Sequence, residues 1–295
     1  MQIVNRYNQT SPAPTFVALG SFDGLHLGHQ AVIKTATTRA DLIPTVFSVL
    51  PDRPTEQLLQ QSHRQALLEQ MGVALWYPTS LKEIAHMTAE EFFQTVLIDT
   101  LQAKAVVCGF NFRFGQGAKG DTHLLQRLCD EYGISLTVIP PVTYGRQPVS
   151  SSRIRQALQQ GDLTAATAML GRKFSFTATV QSGQHLGQKL GFPTVNQPLP
   201  AQLVCPKWGV YAVTVAYQDQ AWGGVCNVGV HPTVGALSVP IAETHLFDCH
   251  ADLYDKELTL TFQAFLREER TFADQRELQQ AIAHDLQQAK AILLQ

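Results

Sequence analysis

Two histidines three residues apart, His26 and His29, stand in a stretch with three evenly spaced glycines, Gly20-Ser21-Phe22-Asp23-Gly24-Leu25-His26-Leu27-Gly28-His29. The apolar run Phe16-Val17-Ala18-Leu19 precedes it, and residues 30–39 after it carry a helical pattern. That order predicts a strand-to-helix turn, where unpaired N–H groups and the helix dipole favour an anion. Imidazoles at such a turn can donate to a phosphate and stabilise the extra charge of group transfer without forming a covalent intermediate. Arg155 offers a fixed fork for the same anion. The competing reading is that both histidines only hydrogen-bond a tight turn.

A second constellation lies far downstream. Gly183-Gln184-His185-Leu186-Gly187-Gln188-Lys189-Leu190-Gly191-Phe192-Pro193-Thr194-Val195-Asn196 spaces its glycines by four, which permits a loop whose backbone amides cradle phosphates. Thr194 and Asn196, two apart on an extended segment, present two oxygens on one side, suited to a hard cation such as Mg²⁺. A simple hairpin turn is the alternative here.

The elements that must position these groups differ between the two halves. Short apolar runs at 16–19, 45–50, 74–77, 105–109 and 136–139 alternate with helical patterns such as 63–71, predicting a parallel α/β sheet with ligands at the carboxyl ends of its strands. Ser150-Ser151-Ser152-Arg153-Ile154-Arg155 begins a helix that Gly161 can end, and Asp162 can cap a second one through Leu170. Beyond Gly171 the pattern changes to period two, as in Phe174, Phe176, Ala178 and Val180, or Tyr211, Val213, Val215 and Tyr217. That predicts an antiparallel barrel with one buried face. A last helix over 274–294 starts at a capping-box pair, Asp274 and Glu277, and carries the apolar stripe Leu278, Ile282, Leu286, Ala289 and Leu293.

The whole chain sets bounds on these readings. Its 295 residues suffice for two ordinary domains, and 45% hydrophobic with 16% charged residues is the balance of a folded globular protein. With 22 basic against 24 acidic residues, no overall field points to nucleic acid or an anionic membrane. Five widely spaced cysteines, never in a C-x-x-C pair, are expected to be reduced and mostly buried, as in a cytoplasmic protein. The N-terminus lacks a signal-peptide core, and no run approaches the length needed to cross a bilayer.

The first constellation resembles the flavin branch of the HxGH nucleotidyltransferases. Three segments carry the likeness: the GxFDGxHxGH stretch, Gly109-Phe110-Asn111-Phe112-Arg113-Phe114-Gly115 followed by Gly120-Asp121, and the Ser-Ser-Ser-x-Ile-Arg helix start. The resemblance implies a Rossmann-like α/β domain with FMN adenylyltransferase activity, in which the FMN phosphate attacks the α-phosphorus of ATP to give FAD and pyrophosphate. It implies that His26 and His29 stabilise the ATP phosphates, with Gly20, Phe22 and Gly28 beside them. Ser152 and Arg155 would hold those phosphates from the other side, and Asp23, Asn111 and Phe112 would line the flavin site. Asn111 stands where the family has Asp, Ser152 where it has Thr, and Pro51-Asp52-Arg53-Pro54 where it has Pro-His-Pro.

The second constellation closely resembles riboflavin kinase, through GxxLGFPTxN, Gly209-Val210-Tyr211, Asn227-Val228-Gly229-Val230-His231-Pro232-Thr233, Glu243-Thr244-His245-Leu246 and Phe265-Leu266-Arg267-Glu268-Glu269. This implies a six-stranded antiparallel barrel that transfers the γ-phosphoryl of MgATP to the 5′-hydroxyl of riboflavin. Thr194 and Asn196 would hold the metal and phosphates, and Glu243 would be the general base. Gly183, Gly187, Lys189, Gly191 and Asn227 would bind ATP, and Arg267 the flavin. Gln188 and His231 replace two arginines of the family, at a cost of about 1.5–3 kcal/mol for each lost charge-assisted contact.

Order and combination together resemble the bacterial bifunctional riboflavin kinase/FAD synthetases over nearly the whole chain, with adenylyltransferase over 1–170 and kinase over 171–295. The implied ligands are riboflavin, FMN, FAD and ATP with Mg²⁺, and neither nucleic acid nor membrane. Two other readings stay open on sequence alone: one domain inactive, or a regulator that binds flavin and nucleotide without turnover.

Overall fold

The computed structural model describes residues 1–50, 56–181, 192–230 and 239–294. These form two compact units, Met1–Thr55 with Leu59–Ser151, and Glu56–Leu58 with Ser152–Gln295.

In the first unit, strands β1 (Gln2–Ile3), β2 (Thr15–Gly20), β3 (Ile43–Leu50), β4 (Leu75–Ser80), β5 (Ala103–Gly109) and β6 (Ser135–Ile139) pair in the order β1-β4-β3-β2-β5-β6. Every pairing is parallel, as the alternating pattern predicts. The connections contain α1 (Leu27–Ala36), α2 (Gln61–Gln70), α3 (Leu81–Ile84), α4 (Ala89–Phe92), which runs on as a π-helix over Phe93–Thr100, and α5 (Thr122–Glu131). Successive strand side chains point to opposite faces, so the sheet is buried on both sides. Phe16, Ala18, Val46 and Trp76 meet Val32 and Ile33 of α1 and Leu68 of α2. Val17, Leu19, Phe47 and Tyr77 meet Phe92, Val96 and Leu125 on the opposite face.

The strand order carries the functional consequence. From β2 the chain winds outward through β3 and β4, then returns to add β5 and β6 on the other side. The crevice between the carboxyl ends of β2 and β5 is therefore a topological switch point, where open parallel sheets bind ligands. The His26–His29 turn follows β2, and the loop with Asn111 follows β5.

After a short hairpin, β7 (Thr143–Tyr144) with β8 (Gln147–Pro148), come α6 (Ser151–Gln160) and α7 (Leu163–Leu170). Asp162 caps α7 by accepting from the Ala165 N–H at 2.9 Å. In the second unit α7 packs on the last strand of an antiparallel sheet. That sheet comprises β9 (Ser175–Thr179), β10 (Thr194–Pro198), β11 (Gly209–Tyr217), β12 (Gln220–Val230), β13 (Pro240–Leu246) and β14 (Glu257–Arg267), in the order β10-β13-β12-β11-β14-β9. It curls until its two edges meet, where the Gln181 N–H donates to the Asn196 carbonyl at 2.8 Å.

Period two sorts this sheet. Phe176, Tyr211, Val213, Cys226, Ala242, Leu260 and Phe262 are almost wholly buried inside the curl. The residues between them face outward, where α8 (Gln275–Leu293) packs on β11, β12 and β14. Asp274 caps α8 by accepting from the Glu277 N–H at 2.8 Å. The Glu277 carboxylate reaches past its expected partner to the Ala273 N–H, at 2.9 Å.

β11 opens at Gly209, φ +146°, where an added Cβ would lie 2.4 Å from the Arg267 carbonyl oxygen. Since that contact is with backbone in the β11–β14 ladder, it cannot relax cheaply. Gly209→Ala is expected to destabilise the second unit by about 1–3 kcal/mol, read as a lower melting temperature by calorimetry. An unchanged melting profile would contradict this packing.

Candidate functional site

The turn after β2 is held in an uncommon backbone. Phe22 and Leu25 have φ of 53° and 43°, and Gly24 has 79°. For a bulky residue such as Phe22 the left-handed region is strained, and it persists because the ring is buried, edge-on to His29 at 5.4 Å between centroids. His26 then caps α1: its Nδ1 accepts from the His29 N–H at 3.3 Å. The two imidazoles stack at 3.6 Å, 17° apart in plane. A Cβ added at Gly28 would come within 3.2 Å of the His26 ring, so the stack would have to shift by a few tenths of an ångström to admit it.

His29 is the electrostatic centre of the turn. Burial, then the neighbouring His26 and Arg64, hold its pKa well below the usual histidine value, while the Asp23 backbone opposes them. Its Nδ1 is buried and has no hydrogen-bond partner among the described residues. The Arg64 guanidinium comes from α2, 3% exposed, with Nη2 3.8 Å from Asp23 Oδ1 and Nε unpartnered among the described residues. Burial pulls its pKa down, with Asp23 opposing. Ser151 Oγ donates to the Asp23 carbonyl at 2.9 Å, which ties the start of α6 to the same turn.

The loop after β5 is a turn, because the Phe112 N–H folds back onto the Gly109 carbonyl at 3.0 Å. The three rings therefore separate in role. Phe114 is buried, Phe112 stacks on it at 5.7 Å and is half-buried, and Phe110 is 44% exposed. Asn111 is exposed beside them. Ser152 and Arg155 lie on α6 in the second compact unit, where Arg155 Nε donates to the Glu56 carbonyl at 2.5 Å.

In the second unit the outward face gathers the polar groups of the second constellation. β10 pairs with β13 so that Thr194 is opposite His245 and Asn196 opposite Glu243. β12 places Asn227 opposite Glu243 from the other side. Directly opposed residues share a face. Thr194 Oγ1 accordingly donates to Glu243 Oε1 at 2.7 Å, and Asn227 Nδ2 donates to Glu269 Oε1 at 2.9 Å. Thr194, Asn227, Glu243 and Arg267 line a cavity of about 550 Å³ whose other wall is α8, through Leu278, Ile282 and Leu286. The expected apolar stripe of α8 is thus partly the cavity wall.

Hydroxyl, amide and carboxylate oxygens side by side are the donor set a hard cation takes. Because the Thr194 hydroxyl gives its proton to Glu243, its lone pairs are left for a metal. Among the described residues, no group of three or more His, Cys, Asp or Glu could hold a metal by itself.

Gly183, Gly187, Lys189 and Gly191, like Gln188, His231 and Pro51-Asp52-Arg53-Pro54, lie outside the described residues. Two groups escaped the sequence reading, Arg64 and Asp285. Both are charged residues at helix positions that face a core: Arg64 stands one turn before the buried Leu68, and Asp285 one turn before the buried Ala289. A charge breaking an apolar stripe was the available signal.

The five cysteines are free, and burial pushes Cys108, Cys129 and Cys226 up to about 12, which leaves these thiols inert. No described helix is long and apolar enough to cross a membrane.

Comparison with known proteins matches both segments. A family model described as FAD synthetase matches residues 8–153, and one described as riboflavin kinase matches residues 170–293. A bifunctional riboflavin kinase/FMN adenylyltransferase of Pseudomonas fluorescens is 33% identical over 99% of this chain and 98% of its own. One from Bacillus subtilis is 31% identical over 94% and 92%. A crystal structure described as a macrolide-efflux protein from Streptococcus pneumoniae has a TM-score of 0.86 at 28% identity, covering 96% of this chain and 97% of that one.

His29 also sets a pH dependence. Folding holds it neutral where the unfolded chain would be protonated, so unfolding takes up a proton below about pH 6.5. Stability is expected to fall as pH drops below that value, and His29→Gln is expected to flatten the acid-side slope in denaturant titrations. Identical slopes in the two proteins would exclude His29 as its source.

Proposed function

The chain belongs to the bifunctional riboflavin kinase/FMN adenylyltransferase family, whose two activities phosphorylate riboflavin to FMN and adenylylate FMN to FAD, and we propose which residues perform each step. The observation that carries the kinase assignment is the Thr194–Glu243 hydrogen bond on the cavity wall, flanked by Asn196 and Asn227 in the strand ladder.

A primary alcohol is a poor nucleophile at neutral pH, so a carboxylate within hydrogen-bond reach must take its proton as the new bond forms. Glu243 takes the proton of the riboflavin 5′-hydroxyl while that oxygen bonds to the γ-phosphorus and ADP leaves. Thr194 and Asn196 would hold Mg²⁺ together with the ATP phosphates, and the ion would supply neutralisation of phosphate charge. Gly183, Gly187, Lys189, Gly191 and Asn227 bind ATP, and Arg267 faces the flavin. This step belongs to residues 171–295, a reading supported by the riboflavin kinase match over residues 170–293.

Adenylylation belongs to residues 1–170. An FMN phosphate oxygen attacks the α-phosphorus of ATP and pyrophosphate leaves. His26 and His29 donate to the phosphates at the α1 N-terminus, next to Gly20, Phe22 and Gly28. Asp23, Asn111 and Phe112 line the flavin end, and Ser152 and Arg155 bind phosphate. The free, buried thiols support a cytoplasmic setting.

Incubation with riboflavin and MgATP, with FMN and FAD separated by chromatography, tests this division. Glu243→Gln is expected to lower FMN formation by roughly 10²–10⁴-fold and to leave conversion of added FMN to FAD near wild type. His29→Ala is expected to do the reverse. Equal loss of both steps in either variant would refute separate sites.

A further inference from the structure

The C-terminal helix contributes a buried charge to the kinase cavity. Asp285 on α8 is 3% exposed at its side chain and lines the same cavity as Thr194 and Glu243. A carboxylate so placed is costly unless it is paired and hydrogen-bonded. Arg267, at the end of β14, meets it edge-on: Nε lies 3.0 and 3.1 Å from the two carboxylate oxygens, and Nη2 lies 2.8 Å from Oδ2. A third donor, Nη1, reaches the Glu268 carbonyl at 3.0 Å, and the Phe272 ring lies 5.6 Å from the guanidinium carbon.

Arginine carries five N–H donors. Nε, one N–H of Nη2 and one of Nη1 are committed, which leaves one on each terminal nitrogen. The side chain is a quarter exposed and also lines the cavity. Asp285 therefore orders a long, rotamer-rich side chain before any ligand arrives, and among the described residues two N–H donors stay uncommitted on a side chain that lines the cavity. Ordering paid in advance is not charged against binding.

We propose that Asp285 is a positioning residue of the kinase site, holding Arg267 so that its remaining donors engage the flavin and making α8 a determinant of riboflavin affinity. This rests on the reading of the cavity as the riboflavin-phosphorylating site.

Steady-state kinetics of the intact protein test it. Asp285→Asn keeps the side-chain size and loses the charge; it is expected to raise the riboflavin KM by roughly ten-fold while the ATP KM and FMN adenylylation change by less than about two-fold. Arg267→Met is expected to raise the riboflavin KM at least as far, and adding Asp285→Asn to it should raise it no further, since both remove one interaction. An unchanged riboflavin KM in Asp285→Asn, with a raised one in Arg267→Met, would overturn the proposal and leave the cavity reading standing. So would a lower melting temperature and lower kcat at constant KM, the mark of a purely structural pair. No effect on riboflavin KM from either variant, together with phosphorylation persisting in Glu243→Gln, would overturn the cavity reading itself. Should Asp285→Asn not fold, Asp285→Glu and riboflavin fluorescence titration carry the test: a weaker Kd supports the proposal and a wild-type Kd overturns it.

Discussion

The two-residue alternation of the β10–β13 strands is the constraint on which the second unit depends. Each strand gives one set of side chains to the closed interior and the other to the outer face under α8. Tyr211, Cys226 and Ala242 go inward; Val210, Asn227 and Glu243, their immediate neighbours in sequence, go outward. A slip of one residue between β12 and β13 would bury a carboxylate in the apolar curl and expose core residues, so the register that stabilises the barrel is the same register that assembles the site. Fold and chemistry here share one physical cause.

The first unit works differently, because its parallel sheet is covered on both faces and has no open side to decorate. Its chemistry is confined to the rim, where β2 and β5 diverge in connection. There the structure accepts costs that a core would not: Phe22 and Leu25 in left-handed backbone, a buried histidine nitrogen without a hydrogen-bond partner among the described residues, and an arginine sealed against Asp23.

Much of this was legible in the chain. The apolar runs at 16–19 and 105–109 announced β2 and β5, and the glycine spacing around His26 announced a turn at a helix start, because these signals are local. Asp274 and Asp162 mark their helices for the same reason. What could not be read was tertiary. Spacing by two would put Phe110, Phe112 and Phe114 on one side of an extended segment, yet one backbone hydrogen bond to Gly109 turns the chain and gives the rings different surroundings. Arg64 and Asp285 each break an apolar helical stripe, but nothing local names their partners, Asp23 and Arg267, which lie 41 and 18 positions away in the chain. Only the folded arrangement shows that each charge is buried against another.

The three residues Glu56–Leu58 fall in the chain among the elements of the parallel sheet but belong to the other compact unit. The Gln57 N–H donates to the Gln202 carbonyl, and the Val204 N–H donates back to Gln57, at 2.6 and 2.8 Å. The units are thus interleaved along the polypeptide, and no single cut separates them cleanly. A fragment ending near residue 170 would carry Gln57 away from Gln202 and Val204, leaving backbone donors and acceptors to be met by water on both pieces.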